Sequence, residues 1–232
     1  MRPAKIEIRG QGIVPLEQPD TTPWAHIELY ATIHQPPLNG NSWHTATLDD
    51  ICEGTRQTLQ HLHNHPHTIC NHLRPGGRAH INIDPRTINT LETDIHQLAN
   101  TLQQHNRKLE LEILETHPID PANLNAPQHL STHDIYLAID DWGTGHSEHH
   151  EQQPIHWNTV KLDKTIVEAA SRGCTTTIDR IRNLCKHHPT TIAEGIETEQ
   201  QATLMRNLGI THGQGWLWHP KTLLDPHPTP PT

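Results

Sequence analysis

Phenylalanine is missing from this chain of 232 residues, and aromatic residues together make up only 3% of it. Apolar residues reach 32%, a fraction low enough to raise disorder as a reading. Their placement argues otherwise. Ile, Leu and Val are gathered in short runs, which implies a folded chain with a lean core. Cysteine is scarce: Cys52, Cys70, Cys174 and Cys185 are the only four, and none forms a CxxC pair. No disulfide framework is expected, and a reducing compartment is the simpler expectation. No apolar run approaches the roughly 20 residues of a membrane helix. The opening MRPAKIEIRGQG lacks the apolar core of a signal peptide. These absences lead to the expectation of a cytoplasmic protein. Positive charge is also short, with 17 basic against 26 acidic residues and a formal charge of −9. That argues against a surface for DNA or RNA polymers. It leaves room for a small nucleotide held through metal ions, because the metals supply the positive charge.

Histidine is abundant, at 23 residues, and densest in His61-Leu-His63-Asn-His65-Pro-His67. With one residue in ten a histidine, such a cluster reflects composition and does not follow zinc-ligand spacing.

Short runs of β character recur at Ile6–Val14, Trp24–Ile33, Ala79–Ile83, Leu109–Ile113, Ile135–Ile139, Thr159–Leu162, Thr190–Ala193 and His212–Leu217. Helical stretches lie between most of them, clearest at Leu48–Leu62, Thr87–Gln104, Thr175–His187 and Glu197–Leu208. The last begins among acidic residues, which suit the positive end of a helix, and stops at Gly209. Strands alternating with helices over this length predict a TIM-like (β/α)8 barrel of the α/β class. The connection Glu17–Pro23 is too short and too rich in Pro and Asp for a helix. It predicts a hairpin, which makes the first strand antiparallel. Residues 1–224 are expected to form one barrel domain. Residues 225–232, DPHPTPPT, read as a Pro-rich disordered tail.

Polar residues fall where the β-runs end: Asn82, Glu112, Asp140 with Asp141, Lys161, Glu194 and Gln214. In a barrel those ends converge on one mouth. Singly, each has an ordinary reading. Asp-Asp before Gly is often a turn, Glu112 suits an exposed edge, Lys161 suits a salt bridge, and Glu194 suits a helix start. Jointly they recur in one register at consecutive strand ends. Four carboxylates in one mouth would repel one another and take raised pKa values. Divalent cations relieve that repulsion, and an all-oxygen set with one amide suits Mg²⁺ or Mn²⁺. Adjacent aspartates can serve two metals, the arrangement suited to phosphodiester hydrolysis by water.

Several segments resemble motifs of the EAL domain family, and in family order. Asp140-Asp-Trp-Gly-Thr-Gly-His-Ser147 resembles DDFGTGYS, and Ala193-Glu-Gly-Ile-Glu-Thr-Glu199 resembles AEGVETE. Leu109–Thr116 is similar to LELEITES, Val160–Asp163 to LKID, Gly209–Pro220 to GCDYGQGYLFGRP, and, more loosely, Gln11–Val14 to the opening YQPIV. The signature itself is degenerate: His26–Thr32 stands where the family has AEALLR, and Thr32 replaces an Arg that contacts a ligand phosphate. Trp142 replaces a Phe, His146 a Tyr and Glu148 a small Ser, and residues 35–73 match poorly.

The resemblance implies a cyclic di-GMP phosphodiesterase that yields linear pGpG, with two Mg²⁺ or Mn²⁺ ions per site and a homodimer. It implies Glu28, Asn82, Glu112, Asp140, Asp141 and Glu194 as metal ligands. Lys161 would act on the attacking water together with Asp140 and Glu194. Gln11 and Gln214 would lie near the ligand, and Glu115 would steady the loop after Asp141. Glu197 matches a frequent family Glu. The alternative is a weak or inactive EAL-like domain acting as a cyclic di-GMP receptor or a protein-interaction module. A sugar- or phosphate-handling barrel is a third reading, on fold alone.

Overall fold

The computed structural model describes residues 5–19, 23–34, 47–119, 130 and 135–224. The tail at 225–232 lies outside them. Strand β1 (Lys5–Pro15) and β2 (Trp24–His34) form the expected antiparallel hairpin, with Gln11 opposite Glu28. From β2 the sheet runs in parallel through β3 (Leu73–Ile83), β4 (Lys108–Ile113), β5 (Tyr136–Trp142), β6 (Thr159–Leu162), β7 (Thr191–Ala193) and β8 (His212–Gly213). Strand β8 then pairs antiparallel with β1, which closes an eight-stranded barrel. A short β9 (Thr222–Leu223) adds to the free stretch of β1 at Arg9 and Gly10.

Helices α1 (Leu48–Asn64), α2 (His67–Cys70), α3 (Ile88–Gln104), α4 (Ser147–Glu151), α5 (Lys164–Ser171), α6 (Thr175–His187) and α7 (Glu199–Leu208) link the strands. In α3, Ile88, Leu91, Ile95, Leu98 and Leu102 are fully buried. Their spacing of three and four makes one apolar stripe, and each such side chain stabilises the fold by about 1.5–3 kcal/mol. Helix α1 opens on a capping box between Thr47 and Asp50, and α7 on one between Thr198 and Gln201. Helix α7 therefore begins two residues later than the sequence suggests, because Thr198 is the cap. Gly209 ends it with φ 102°.

Sequence periodicity missed α2, α4 and α5, which are short. It also placed the end of the last barrel strand at Leu217, whereas β8 ends at Gly213. After Gln214 the chain folds over Ile196. Gln214 N–H donates to Ala193 O (2.9 Å), Ile196 N–H to Gln214 O (3.0 Å) and Leu217 N–H to Ile196 O (3.1 Å). Gly215 lies at the crossing, where a Cβ would stand 2.1 Å from Ile196 O and 2.4 Å from its N. Both are backbone atoms, so no side-chain rotation relieves the clash. The four cysteines are free thiols. Among the described residues no helix is long and apolar enough to cross a membrane.

Gly215→Ala is expected to destabilise the fold by about 1–3 kcal/mol or more, the scale of overpacking. Thermal melts of the two proteins check this. An unchanged melting temperature would mean that the backbone crossing is looser than described.

Candidate functional site

Lys161, on β6, is the centre of the barrel mouth. Its side chain is 1% exposed, and its ammonium lies among four carboxylates. It is 2.6 Å from Glu194 Oε1, 2.8 Å from Glu112 Oε2, 3.0 Å from Asp140 Oδ1 and 3.1 Å from Glu28 Oε2. Each carboxylate comes from a different strand or from the residue just after one: Glu112, Asp140 and Glu194 belong to the strand-end pattern, and Glu28, named by the resemblance alone, stands within β2. Two amides complete the ring. Asn82 Nδ2 donates to Glu28 Oε1 (2.9 Å), and Gln214 Nε2 donates to Glu28 Oε2 (2.8 Å). Gln214 also reaches Gln11 Oε1 at 3.4 Å, and Gln11 in turn donates to His219 O at 2.8 Å.

One ammonium cannot neutralise this many acids. Burial pulls the Lys161 pKa down, but Asp140, Glu112, Glu194 and Glu28 outweigh it and hold the lysine well above its usual range. Burial, together with the neighbouring carboxylates, pushes Glu112 well up. Glu194 is pushed up to about 8 by burial and by Glu28 and Asp140, against the pull of Lys161. Asp141 rises to about 6, through burial and then Asp140, Asp163 and Glu115. Glu28 goes the other way. Burial raises it, but Lys161 and hydrogen bonds from Gln214, Asn82 and Tyr30 bring it down to about 2.

The acids raised in this way bind protons where cations would serve. Two atoms support a cation fit: the side-chain oxygens Asn82 Oδ1 and Gln214 Oε1 are both buried with no hydrogen-bond partner. Free amide oxygens beside carboxylates make a hard, all-oxygen donor set of the kind Mg²⁺, Mn²⁺ and Ca²⁺ take. A second convergence lies alongside. Glu115, Asp140 and Asp141 each bring one carboxylate oxygen within 4.8 Å of the others. Asp141 has φ 45°, a left-handed conformation uncommon outside glycine. Its carbonyl accepts from Thr144 N–H (3.1 Å) and Thr144 Oγ1 (2.9 Å). Glu115 also holds this loop through its backbone, since its carbonyl accepts from His146 N–H at 2.8 Å.

Of the residues singled out in the sequence, Glu28, Asn82, Glu112, Asp140, Lys161, Glu194, Gln214 and Gln11 form one hydrogen-bonded network, with Asp141 and Glu115 beside it. Glu197 is exposed at the head of α7, where its N–H donates to Gln201 Oε1 (2.9 Å). Thr32 is exposed further along β2, opposite Glu7. Among the described residues, the groups of three metal-capable side chains do not include the 61–67 histidines.

Two contributors escaped the sequence reading. Tyr30 accepts from Gln214 Nε2 at 3.3 Å, and Lys221 Nζ lies 3.3 Å from the centroid of its ring. His80 Nδ1 is 2.9 Å from Glu112 Oε1. Both lie two residues from a recognised site residue on the same strand, which is the spacing that could have found them.

A sequence profile of the EAL domain matches residues 52–221. The cyclic di-GMP phosphodiesterase PdeL of Escherichia coli is 34% identical over 134 residues, which is 56% of this chain and 37% of PdeL. The probable cyclic di-GMP phosphodiesterase PdeB of the same organism is 32% identical over 154 residues, 63% of this chain and 29% of PdeB. The chain thus spans well under half the length of these curated relatives. Among solved structures, the cyclic di-GMP complex of the PaMucR phosphodiesterase superposes with TM-score 0.73 at 18% identity, covering 94% of this chain and 92% of that one. The manganese and cyclic di-GMP complex of Klebsiella pneumoniae BlrP1 gives 0.69 at 19%, covering 97% and 57%. The profile match starts after the β1–β2 hairpin, yet that hairpin delivers Glu28 to Lys161 and Asn82. From sequence profile and barrel together, the chain belongs to the EAL domain family.

Proposed function

We propose that this chain is a cyclic di-GMP phosphodiesterase, acting as a homodimer in the cytoplasm with two Mg²⁺ or Mn²⁺ ions per site. The observation that carries the reading is the buried Lys161 with four carboxylates, brought by four different strands and their ends, around it. The names of the relatives PdeL and PdeB support the substrate class. Water would add across one P–O3′ bond, leaving a 5′-phosphate and a free 3′-hydroxyl on linear pGpG. Glu28, Asn82, Glu112, Asp140, Asp141 and Glu194 would hold the cations. When bound, these polarise a phosphodiester oxygen and acidify water. Lys161 orients the carboxylates and, once cations take over part of their charge, would hold and polarise the attacking water together with Asp140 and Glu194. Gln214 and Gln11 tie Glu28 to the closing segment and face the ligand. Glu115 and the left-handed Asp141 fix the loop that sets the second aspartate. Glu197, exposed, is assigned to supporting the loop before α7.

One observation favours the receptor alternative. Thr32 stands where the family carries an arginine, and losing a charge-assisted contact of that kind weakens binding by about 1.5–3 kcal/mol. The rim has other cations. Lys221 lies over Tyr30, two residues from Thr32, and Arg9 stands opposite Tyr30 in the hairpin, paired with Glu7 at 2.8 Å. Lys221 is assigned the phosphate contact that Thr32 cannot make.

Purified protein with Mg²⁺ or Mn²⁺ is expected to convert cyclic di-GMP to pGpG, followed by chromatography, and EDTA is expected to stop it. Asp140→Asn is expected to lower turnover by roughly 10²–10³-fold or more, the scale of losing a group that stabilises the transition state. Undiminished hydrolysis in that variant would sink the assignment. Tight binding by folded, metal-loaded wild type without product would establish the receptor instead.

Metal binding is expected to release about one proton or more at pH 7, because Glu194, with its pKa near 8, keeps its proton below that value until a cation displaces it. Calorimetry in two buffers of different ionisation enthalpy measures the release. No release would place the cations elsewhere.

Lys221→Ala is expected to weaken cyclic di-GMP binding about tenfold, leaving kcat little changed. An unchanged Kd would remove Lys221 from the ligand contact.

A further inference from the structure

Side chains on a strand alternate, so the residue two before an interior residue also faces the interior. Beneath Glu28, Asn82, Glu112, Lys161 and Gln214 this rule places His26, His80, Glu110, Thr159 and His212. Contacts between strands that are not neighbours agree. His26 on β2 and His212 on β8 are separated by β1, yet their ring centroids are 5.1 Å apart. The barrel has a second polar layer toward the start of its parallel strands, with His80 and Glu110 both 0% exposed.

Donor atoms converge in this layer. His26 Nδ1 is 2.9 Å from His80 Nε2, and His80 Nε2 is 3.5 Å from Glu110 Oε2. One ligand atom from each of His26, His80 and Glu110 lies within 4.8 Å of the other two. Around a tetrahedral Zn²⁺ with bonds of about 2.0–2.1 Å, neighbouring ligand atoms stand about 3.3 Å apart, close to these separations.

The surroundings are those of a ligand set. The far nitrogen of His80, Nδ1, is 2.9 Å from Glu112 Oε1, the carboxylate backing that fixes the tautomer and leaves Nε2 bare toward a metal. Glu110 Oε2 accepts from Arg78 Nη1 at 3.0 Å, while Glu110 Oε1 is buried with no hydrogen-bond partner. A simple imidazole–imidazole hydrogen bond would satisfy His26 and His80. It would leave that carboxylate oxygen with only the neighbouring Thr159 hydroxyl.

We propose that His26, His80 and Glu110 form a second metal site, beneath the candidate catalytic layer, for one Zn²⁺ or a similar borderline cation. Two imidazoles and a carboxylate select zinc, cobalt or nickel over magnesium, unlike the all-oxygen layer above. One hydrogen bond joins the layers, between His80 Nδ1 and Glu112 Oε1, and within the layer above, Glu112 also accepts from Lys161. The site does not depend on cyclic di-GMP, so its test needs no turnover.

The full chain, stripped with EDTA and then held in excess Mg²⁺ to fill the oxygen layer, is titrated with Co²⁺. To silence the 61–67 segment, the background carries His61→Gln, His63→Gln, His65→Gln and His67→Gln. One equivalent is expected to produce the intense visible absorption of four-coordinate cobalt, which Zn²⁺ bleaches on displacement. His26→Gln, an amide of similar reach outside the catalytic layer, is expected to abolish that absorption. Absence of the band in the background protein would overturn the site, as would its full persistence in His26→Gln. Should His26→Gln not fold, X-ray absorption of the zinc-loaded background protein decides. Scattering from two imidazoles supports the site, and an all-oxygen shell refutes it.

Discussion

A buried ammonium shared by four carboxylates is the constraint on which this barrel mouth depends. Lys161 is fully enclosed and lies within 3.1 Å of Glu28, Glu112, Asp140 and Glu194. An isolated charge at such depth would be prohibitively costly, and a buried pair missing a partner typically costs about 3–5 kcal/mol. The lysine and the acids therefore fix one another's positions. Because each acid lies on a different strand or, for Glu194, just after one, the cluster also sets where β2, β4, β5 and β7 stand around β6. The excess of acid over base is the functional half of the same fact, because a neutralised cluster would leave no claim on added cations.

The interior of this barrel carries two layers of polar residues, the lower one broken by Ala138 and Ile192 beneath Asp140 and Glu194, and the main apolar core lies outside it, between strands and helices. Odd and even residues divide the two roles along each strand. On β4, Glu110 and Glu112 face inward while Leu109, Leu111 and Ile113 are buried in the hydrophobic core cluster. A chain with 32% apolar residues and no phenylalanine can sustain a core because its aliphatic residues are concentrated on the outer face of the strands and on one stripe of each helix. The α3 stripe shows the economy, since all five of its Ile and Leu residues are buried.

Much of this was legible in the sequence, for identifiable reasons. The hairpin followed from a linker too short for a helix, and the strand ends followed from aliphatic runs that stop at a carboxylate, amide or lysine. Periodicity also found the long helices, but α2, α4 and α5 were too short to register. The overrun of β8 had a physical cause: Leu217 and Trp218 look like strand residues, but Gly215 lies against the backbone of Ile196, and the chain turns there. Tyr30 and the His26–His80–Glu110 layer carry no strand-end signal, because they lie within the β-runs. A histidine in an aliphatic run looks like noise in a chain with 23 of them. Only the closed barrel, which brings non-neighbouring strands into contact, shows that they face one another.

The loop after β5 shows how the departures from the family motifs are accommodated. Trp142, in place of a Phe, is buried, and its indole N–H donates to Glu151 Oε2 at 2.8 Å. The Arg180 guanidinium lies 4.7 Å from the Trp142 ring and pairs with Glu148, the residue where a small serine is usual. The larger aromatic, the acid and the arginine therefore form one set that braces α4 against α6. The bracing matters because Asp141 sits at φ 45°, a conformation costing of the order of 1–3 kcal/mol for a non-glycine residue. Gly143 and Gly145 also take positive φ, and a Cβ on Gly145 would stand 2.6 Å from the Glu115 carbonyl. Glycine at that point lets the loop close onto Glu115, whose carboxylate then faces Asp140 and Asp141. The strain at Asp141 and the packing around Trp142 serve one end, which is holding two adjacent aspartates at the barrel mouth when the strand alternation alone would turn one of them away.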